Sequence, residues 1–427
     1  MLDYIDLCSG IEGFRLAIES PEVKHSFPSS SCVFSCDNKQ DAIDTYNANF
    51  GEDQQKQDIN DIDPKSIPPF DLLCAGFPCQ PFSSAGNKKG FCDERGGIIF
   101  KILDICKEHM PSVVLLENVS NLIDLENGKY ITQIERLFSD LGYHVVHKRL
   151  NTSQFGCAQS RERVYIICSR KNKDIDFDRI EYYPEKEKCL VKDIIDHDDT
   201  TSDIDPVFCQ KLLALHRQVS LYGRKIGDKR GGSNNVHSWD LDLNGTISQE
   251  EKRLMNMIML ERRKKHWAKK KGIVWMDGMP LTLDEISTFW GNENVLQSML
   301  DNLEKNKYLK KEKCKDLVDG RRVYKEDSEV GYNICKGKLS FPVSKILDPM
   351  DISPTLTATD AHKMAVIVNE SCIRRLNVLE LKRLCGFPDD FVVPPHVDAY
   401  DLFGNMASPN VLKRIIKMIY NRADANS

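Results

Sequence analysis

The chain has 427 residues, with 59 Lys and Arg against 64 Asp and Glu, a formal charge of −5, and 41% hydrophobic and 29% charged residues. That balance fits a folded globular protein of one large domain plus a second domain or a large insertion, and it does not by itself announce nucleic acid. No run of about 18 apolar residues occurs and the start, "MLDYIDLCSG", lacks a basic leader, so a cytoplasmic protein without a membrane span is expected.

The first third alternates strand and helix patterns. "YIDLCSG" reads as a strand ending in a turn, "GFRLAIES" as a helix, and "SCVFSCD" as a second strand ending in an acid. "DAIDTYNANF" is helical, "FDLLCAGFPC" a third strand, "GIIFKILDICKEHM" a helix and "SVVLLENV" a fourth strand. "YITQIERLFSDLGY" follows as a helix, then "HVVHKRLN" and "RVYIICSR" as two strands. Continuous apolar strands alternating with helices predict an α/β domain with a parallel sheet covered on both faces. Ligands of such sheets bind beyond the carboxyl ends of the strands, where the turns just quoted lie.

Near Lys171 the texture changes. Residues 171–205 are charged with little periodicity, and 221–245 are rich in Gly, Asn and basic residues, so they read as loop. Residues 249–270 predict one long helix. From Glu251 to Gly272 there are nine Lys or Arg against two acids, a local charge of +7. Such a run is either a solvated helix face or a surface that meets phosphates. "LTLDEISTFWG" and "NENVLQSMLDNLEKNKYLKK" predict two further helices, and "RRVYKED" a short strand. Helix, turn, helix and basic hairpin together outline a winged helix. Near Ser353 the strand and helix texture returns, with "CIRRLNVLELKRLCGFP" and "NVLKRIIKMIY" as helices.

Four stretches carry chemistry. In "DLCSGIEGF", Gly10 and Gly13 permit a tight turn that sets backbone N–H groups at a helix start. Asp37 ends the second strand, where an acid would accept hydrogen bonds from ribose hydroxyls, and Asp58 and Ile59 follow where a base could sit. Each acid alone could equally be a surface or capping residue. In "FPCQPF", Pro78 and Pro81 fix the backbone around Cys79 and Gln80. A structural thiol needs no such rigidity, whereas a nucleophile does. In "LLENV", Glu117 ends an apolar strand, where burial should raise its pKa and let it donate a proton at neutral pH. In "QSRERVYII", Gln159, Arg161 and Arg163 alternate along a strand and so share one face. Fifteen cysteines are scattered without ligand spacing, so reduced thiols and no metal site are expected.

In family order, "DLCSGIEGFRLAIE", "CAGFPCQPFS", "LLENV", "QSRERVYIIC", "SPTLTAT" and "LFGNMASPNVLKRI" resemble the DNA (cytosine-5) methyltransferases of the bacterial restriction-modification type. The resemblance implies a Rossmann-like S-adenosylmethionine-dependent methyltransferase sheet with a smaller inserted target-recognition domain. The catalytic domain would span 1–175, the insertion 176–350, and a return to the catalytic domain 351–427. It implies methyl transfer to C5 of a flipped cytosine in a specific site of double-stranded DNA, leaving S-adenosylhomocysteine. Cys79 would add to C6, Glu117 would contact N3 and the N4 amine, and Arg163, with Arg161 close by, would hold O2. The loop from Gln80 to Ile99 resembles the family's mobile loop over the flipped base.

Carried over by position, the cofactor contacts would be Gly10, Ile11, Phe14, Asp37, Asp58, Ile59, Pro78, Ile98 and Asn405. Gln80, Ser83, Arg224, Arg230, Arg262 and Arg263 would meet DNA, with Trp239 supporting the loop. Four positions depart from the family pattern, all on the cofactor side: Cys8, Glu12, Asn38 and Met406 with Ala407. The implied setting is the bacterial cytoplasm, on nucleoid DNA, with a cognate restriction endonuclease as functional partner. A tRNA-acting enzyme and a catalytically dead DNA-binding homologue are the alternatives. The Pro-Cys-Gln pattern and the long insertion speak against the first, and the presence of both Cys79 and Glu117 against the second.

Overall fold

A computed structural model describes residues 1–27, 29–77, 97–170, 175–184, 188–228, 234–276, 278–335 and 341–420. The chain divides into two compact units. The first comprises Met1–Asp196, Asp348–His362 and Leu376–Ser427; the second comprises His197–Leu347 and Lys363–Arg375. Among the described residues no helix is long and apolar enough to cross a membrane.

The first unit begins with β1 (Leu2–Leu7), α1 (Gly13–Ile18), α2 (Pro21–Lys24), β2 (Ser30–Cys36) and α3 (Gln40–Phe50). Then come β3 (Leu72–Gly76), α4 (Gly97–His109), β4 (Val113–Val119), α5 (Lys129–Asp140), β5 (His144–Asn151), β6 (Gln159–Ser160) and β7 (Glu162–Ser169). Six of these strands form one sheet in the order β2-β1-β3-β4-β7-β5. It departs from the all-parallel expectation at one place: β7 runs antiparallel to both β4 and β5. Strand order reverses between β1 and β3, which makes the carboxyl end of β1 a topological switch point.

The strands alternate as a sheet covered on both faces requires. Ile5, Leu7, Leu73, Ala75, Val114 and Leu116 pack into one core with α4 and α5. Leu2, Tyr4, Leu72, Cys74, Leu115 and Tyr165 pack into the other with α1 and the closing helix of the chain. Successive residues of a strand point to opposite faces, so each strand feeds both layers.

In the second unit, α6 (Pro206–Gln218) precedes the short pair β8 (Lys225–Ile226) and β9 (Asn235–Val236). A helical module follows: α7 (Gln249–Glu261), α8 (Lys265–Lys271), α9 (Leu283–Ser287) and α10 (Glu293–Lys305). The predicted single helix over 249–270 is therefore two. Arg262 caps the first, and the backbone of Lys264 is extended. The break falls inside a run of basic residues, where no apolar period marks it. β10 (Leu309–Lys313) pairs antiparallel with β13 (Val330–Ile334), and β11 (Lys315–Val318) with β12 (Arg321–Tyr324) between them. A bridge from Leu281 to Tyr332 adds a third strand position. Two helices, a strand position, two more helices and a winged antiparallel pair enclose their own core, with Leu254, Ile258, Ile286, Trp290, Leu300 and Tyr332 in it. This is winged-helix connectivity.

β14 (Lys345–Ile346) completes that stretch, and β15 (Ser353–Pro354) returns to the first unit beside β6. β16 (Met364–Asn369) and β17 (Cys372–Arg375) belong to the second unit, where β14, β16 and β17 form a sheet. α11 (Val378–Cys385), α12 (Ala399–Asn405) and α13 (Pro409–Tyr420) close the first unit. The segment 363–375, expected in the returning catalytic domain, thus packs with the second unit. Its strand β17 finds its hydrogen-bond partner in β16.

Gly13 and Gly404 show how closely the returning segment fits. A Cβ on Gly13 would overlap the carbonyl oxygen of Ala407, and one on Gly404 the amide of Ala358. Gly13→Ala should therefore cost about 1–3 kcal/mol, the range of an overpacked site. A thermal melt of the full chain checks this, and an unchanged melting temperature would refute the fit.

Candidate functional site

A cavity of about 310 Å³ opens at the carboxyl ends of β1 to β4. Its wall takes Gly10 and Ile11 from the turn after β1, Asp37 from the end of β2, Glu117 from β4, Arg163 from β7 and Asn405 from α12. Residues distant in sequence meet here because parallel strands end their turns on one edge.

Register explains the acid. Gly76 pairs with Glu117 across β3 and β4, and Val119 with Arg163 across β4 and β7. Glu117 and Arg163 therefore stand two positions apart on one face of neighbouring strands. Nε of Arg163 lies 3.2 Å from Oε1 of Glu117. That oxygen is buried and accepts no hydrogen bond from the described residues. Burial pushes the Glu117 pKa up, and Arg163 and then Arg161 pull it part of the way back, with a net rise. A carboxyl whose proton affinity is raised above the ordinary glutamate value thus lines the cavity beside a guanidinium.

Arg161 lies deeper, with 2% of its surface exposed. It donates to three main-chain carbonyls: Leu356 at 3.1 Å, Gly404 at 3.0 Å and Met406 at 2.8 Å. Burial, with Arg163 nearby, draws its pKa down to about 10, so it stays charged at neutral pH. Expected among the catalytic residues, it clamps the returning segment and touches the cavity wall beside its unpartnered Nε.

Of the expected cofactor residues, Gly10, Ile11, Asp37, Ile59, Ile98 and Asn405 line the cavity. Asp37 accepts from the Gly10 N–H at 2.9 Å and the Lys39 N–H at 2.8 Å, and each oxygen keeps a lone pair for a hydroxyl. Two expected residues stand elsewhere. Phe14 is 1% exposed in the core that α1 covers, with its ring edge close to Gly76 of the cavity wall rather than in the wall itself. Asp58 caps a short helical turn through the Asn60 N–H at 2.9 Å, and its neighbours Gln57 and Ile59 take the wall. Phe77, Leu402 and Lys39 also line the wall, although sequence reasoning did not name them. Cys79, Gln80, Pro78, Ser83 and Arg230 lie outside the described residues.

The other expected DNA contacts divide. Arg224 lines a cleft of the second unit. Arg262 is 7% exposed and packs against Gly278, where any Cβ would strike its guanidinium, so it is no surface contact. Arg263 is half-buried and its carbonyl accepts from Trp275. Trp239 is buried, and its indole N–H donates to Asn256 at 2.9 Å, tying the 221–245 segment to α7.

Glu12 occupies the left-handed region at φ 65°, where a side chain is strained. Its carboxyl and that of Asp6 are fully buried with no partner in normal hydrogen-bond geometry among the described residues. Burial first, then Asp6, pushes the Glu12 pKa up, against weaker pulls from Ser9 and Arg15. These acids sit under the Gly10 turn and outside the cavity wall.

The residues present fit a nucleoside-bearing methyl donor. Asp37 offers acceptors, and Ile11, Ile59, Ile98 and Leu402 offer an apolar slot for a flat base.

A family model described as C-5 cytosine-specific DNA methylase matches residues 2–421. "Type II methyltransferase M.NlaIV" of Neisseria lactamica is 40% identical over 423 residues, covering 97% of each chain. "Type II methyltransferase M.HgiCI" of Herpetosiphon aurantiacus is 36% identical over 449 residues, covering 100% of each. The solved structure of S. pombe Dnmt2 methyltransferase matches with a TM-score of 0.52 at 17% identity, covering 98% of each chain, a likeness of fold.

A Glu whose folded pKa is raised keeps its proton while the unfolded chain releases it, so it destabilises the fold as pH rises above the ordinary carboxyl value. Glu12→Gln should therefore gain melting temperature relative to the parent chain as pH goes from 5 to 8. Parallel melting curves across that range would show that Glu12 does not titrate as its burial requires.

Proposed function

The chain belongs to the C-5 cytosine-specific DNA methylase family, and from that premise we propose how its residues methylate cytosine at C5 in a specific duplex site. The observation that carries the reading is the buried Glu117 carboxyl, which accepts no hydrogen bond at Oε1 among the described residues and lies 3.2 Å from Arg163, facing a cavity at the sheet's switch point.

C5 of cytosine is a weak nucleophile. Addition of the Cys79 thiolate to C6 breaks the C5–C6 double bond and places its electron pair on the ring. Glu117, protonated, donates to N3 as that charge develops, while Arg163 holds the O2 oxygen. The negative charge built on the ring therefore meets a proton donor and a guanidinium, which stabilises the enamine and activates C5. Gly10, Ile11, Asp37, Ile59, Ile98 and Asn405 would hold S-adenosylmethionine. When bound there, it supplies an electrophilic methyl group. After C5 has taken the methyl group, a base removes the C5 proton, the electron pair restores the C5–C6 double bond, the thiolate leaves C6, and N3 returns its proton to Glu117. A cytosine stacked in a duplex cannot reach a cavity of this kind, so the base leaves the stack.

The names of the relatives support a place in a restriction-modification system, with a cognate endonuclease as the functional partner. Bisulfite sequencing of plasmid from cells expressing the chain should show protected cytosines in one recurring short context, and none with Cys79→Ser. Protection persisting in that variant would remove the covalent mechanism. Glu117→Gln should lower kcat by 10² or more, the scale of a lost general acid. The parent rate should also fall as pH rises through the raised Glu117 pKa, and a rate that does not fall with rising pH would contradict its role as proton donor.

A further inference from the structure

Winged helices commonly place the helix before the wing in a DNA groove. That helix here is α10, and its outward face is poorly suited to a polyanion. Asn294, Gln297, Ser298 and Asp301 are exposed, with Lys305 a lone cation at its end. Positive charge gathers elsewhere in the same unit.

From Lys264 to Lys271 the chain has five lysines and no acid. Beside them stands the β11–β12 ribbon. Its two-residue turn, Asp319-Gly320, has φ of 50° and 74°, the left-handed pair that a tight hairpin needs. Nζ of Lys325 donates to the carbonyls of Lys271 at 3.1 Å and Gly272 at 3.3 Å, and the Val274 N–H donates to Asp316 at 2.9 Å. Helix α8 and the ribbon therefore form one surface.

On that surface Lys265, Lys269, Lys315, Arg321 and Arg322 have no carboxylate partner among the described residues, whereas Lys264 is paired with Glu261 and Lys271 with Glu285. Asp316 spends its carboxylate on the N–H groups of Val274 and Leu317, which leaves Asp319 as the exposed acid of the ribbon's tip, with Asp327 and Glu329 exposed beyond its base. The ribbon is also apolar where it is exposed: Leu317 is 44% exposed, Val318 53%, Val323 49% and Tyr324 45%. A two-stranded ribbon without a covered face is marginal in water, so this one is shaped for a partner.

We propose that the β11–β12 ribbon enters a groove of duplex DNA, with Lys315, Arg321 and Arg322 on its phosphates and sugars. Lys265 and Lys269 of α8 lie along the adjoining backbone, and α10 stays off the duplex. The occupant is argued from charge and shape: five uncompensated cations meet a polyanion, and a two-stranded ribbon fits a major groove about 12 Å wide. The apolar strip faces base edges and thymine methyls, which an acidic protein surface would not offer. This inference rests on the reading of the chain as a duplex-DNA methyltransferase, and it names which part of the second unit holds that DNA.

The test uses the full chain and a duplex carrying its methylated context, with binding read by anisotropy over a salt series. Arg321→Ala/Arg322→Ala and, separately, Lys265→Ala/Lys269→Ala should each weaken binding about tenfold or more and flatten the log K against log salt slope by roughly 2. Asn294→Ala/Ser298→Ala on α10 should leave both unchanged. Parent affinity and slope in the ribbon variant, equal loss in the α10 variant, or a parent chain that binds no duplex would each overturn the proposal. Circular dichroism melts of the variants separate lost contacts from lost folding. Weak ribbon dependence with methylation intact sinks this inference alone. Absent methylation in the parent chain sinks the enzymatic reading instead.

Discussion

The buried guanidinium of Arg161 holds the catalytic unit together. It takes a full charge out of water, which costs several kcal/mol, and recovers that cost through charge-assisted bonds to the carbonyls of Leu356, Gly404 and Met406. Those three residues lie about two hundred positions or more along the chain from Arg161. That bond set satisfies three carbonyls of the returning segment on either side of Asn405, whose own amide is held by Asp401. The close approach of Gly13 to Ala407 and of Gly404 to Ala358 follows from the same clamp.

Much of the catalytic layer is legible in sequence because strand geometry has a short period. Apolar runs that end in Glu117, or that alternate as Arg161, Arg163 and Tyr165, can be assigned to a face by counting twos. Register then places Glu117 beside Gly76, three residues before Cys79. Helices and turns are less readable. Phe14 begins a helix, and its direction depends on which core that helix covers. Asp58 carries the residue type of a ribose or base contact and equally that of a cap, and the structure uses it as a cap.

The second unit was harder to read for a related reason. A run such as "RRKKHWAKKK" has charge but almost no apolar period, so it hides both the helix break after Glu261 and the burial of Arg262. The wing, expected only as a basic hairpin, turns at Asp319-Gly320, a pair that a tight hairpin accommodates well. Charge counts along a chain and charge on a surface are different quantities. Lysines that neutralise Glu261 or Glu285 belong to the first, and those of the ribbon to the second.

The cavity wall runs in sequence from Cys8 to Met406. Residues 1–170 hold Glu117 and Arg163, yet Leu402, Asn405 and Met406, which complete the wall, come from α12 and the residue after it. A fragment that stopped short of α12 would therefore keep both of these charged groups and lack one side of the pocket.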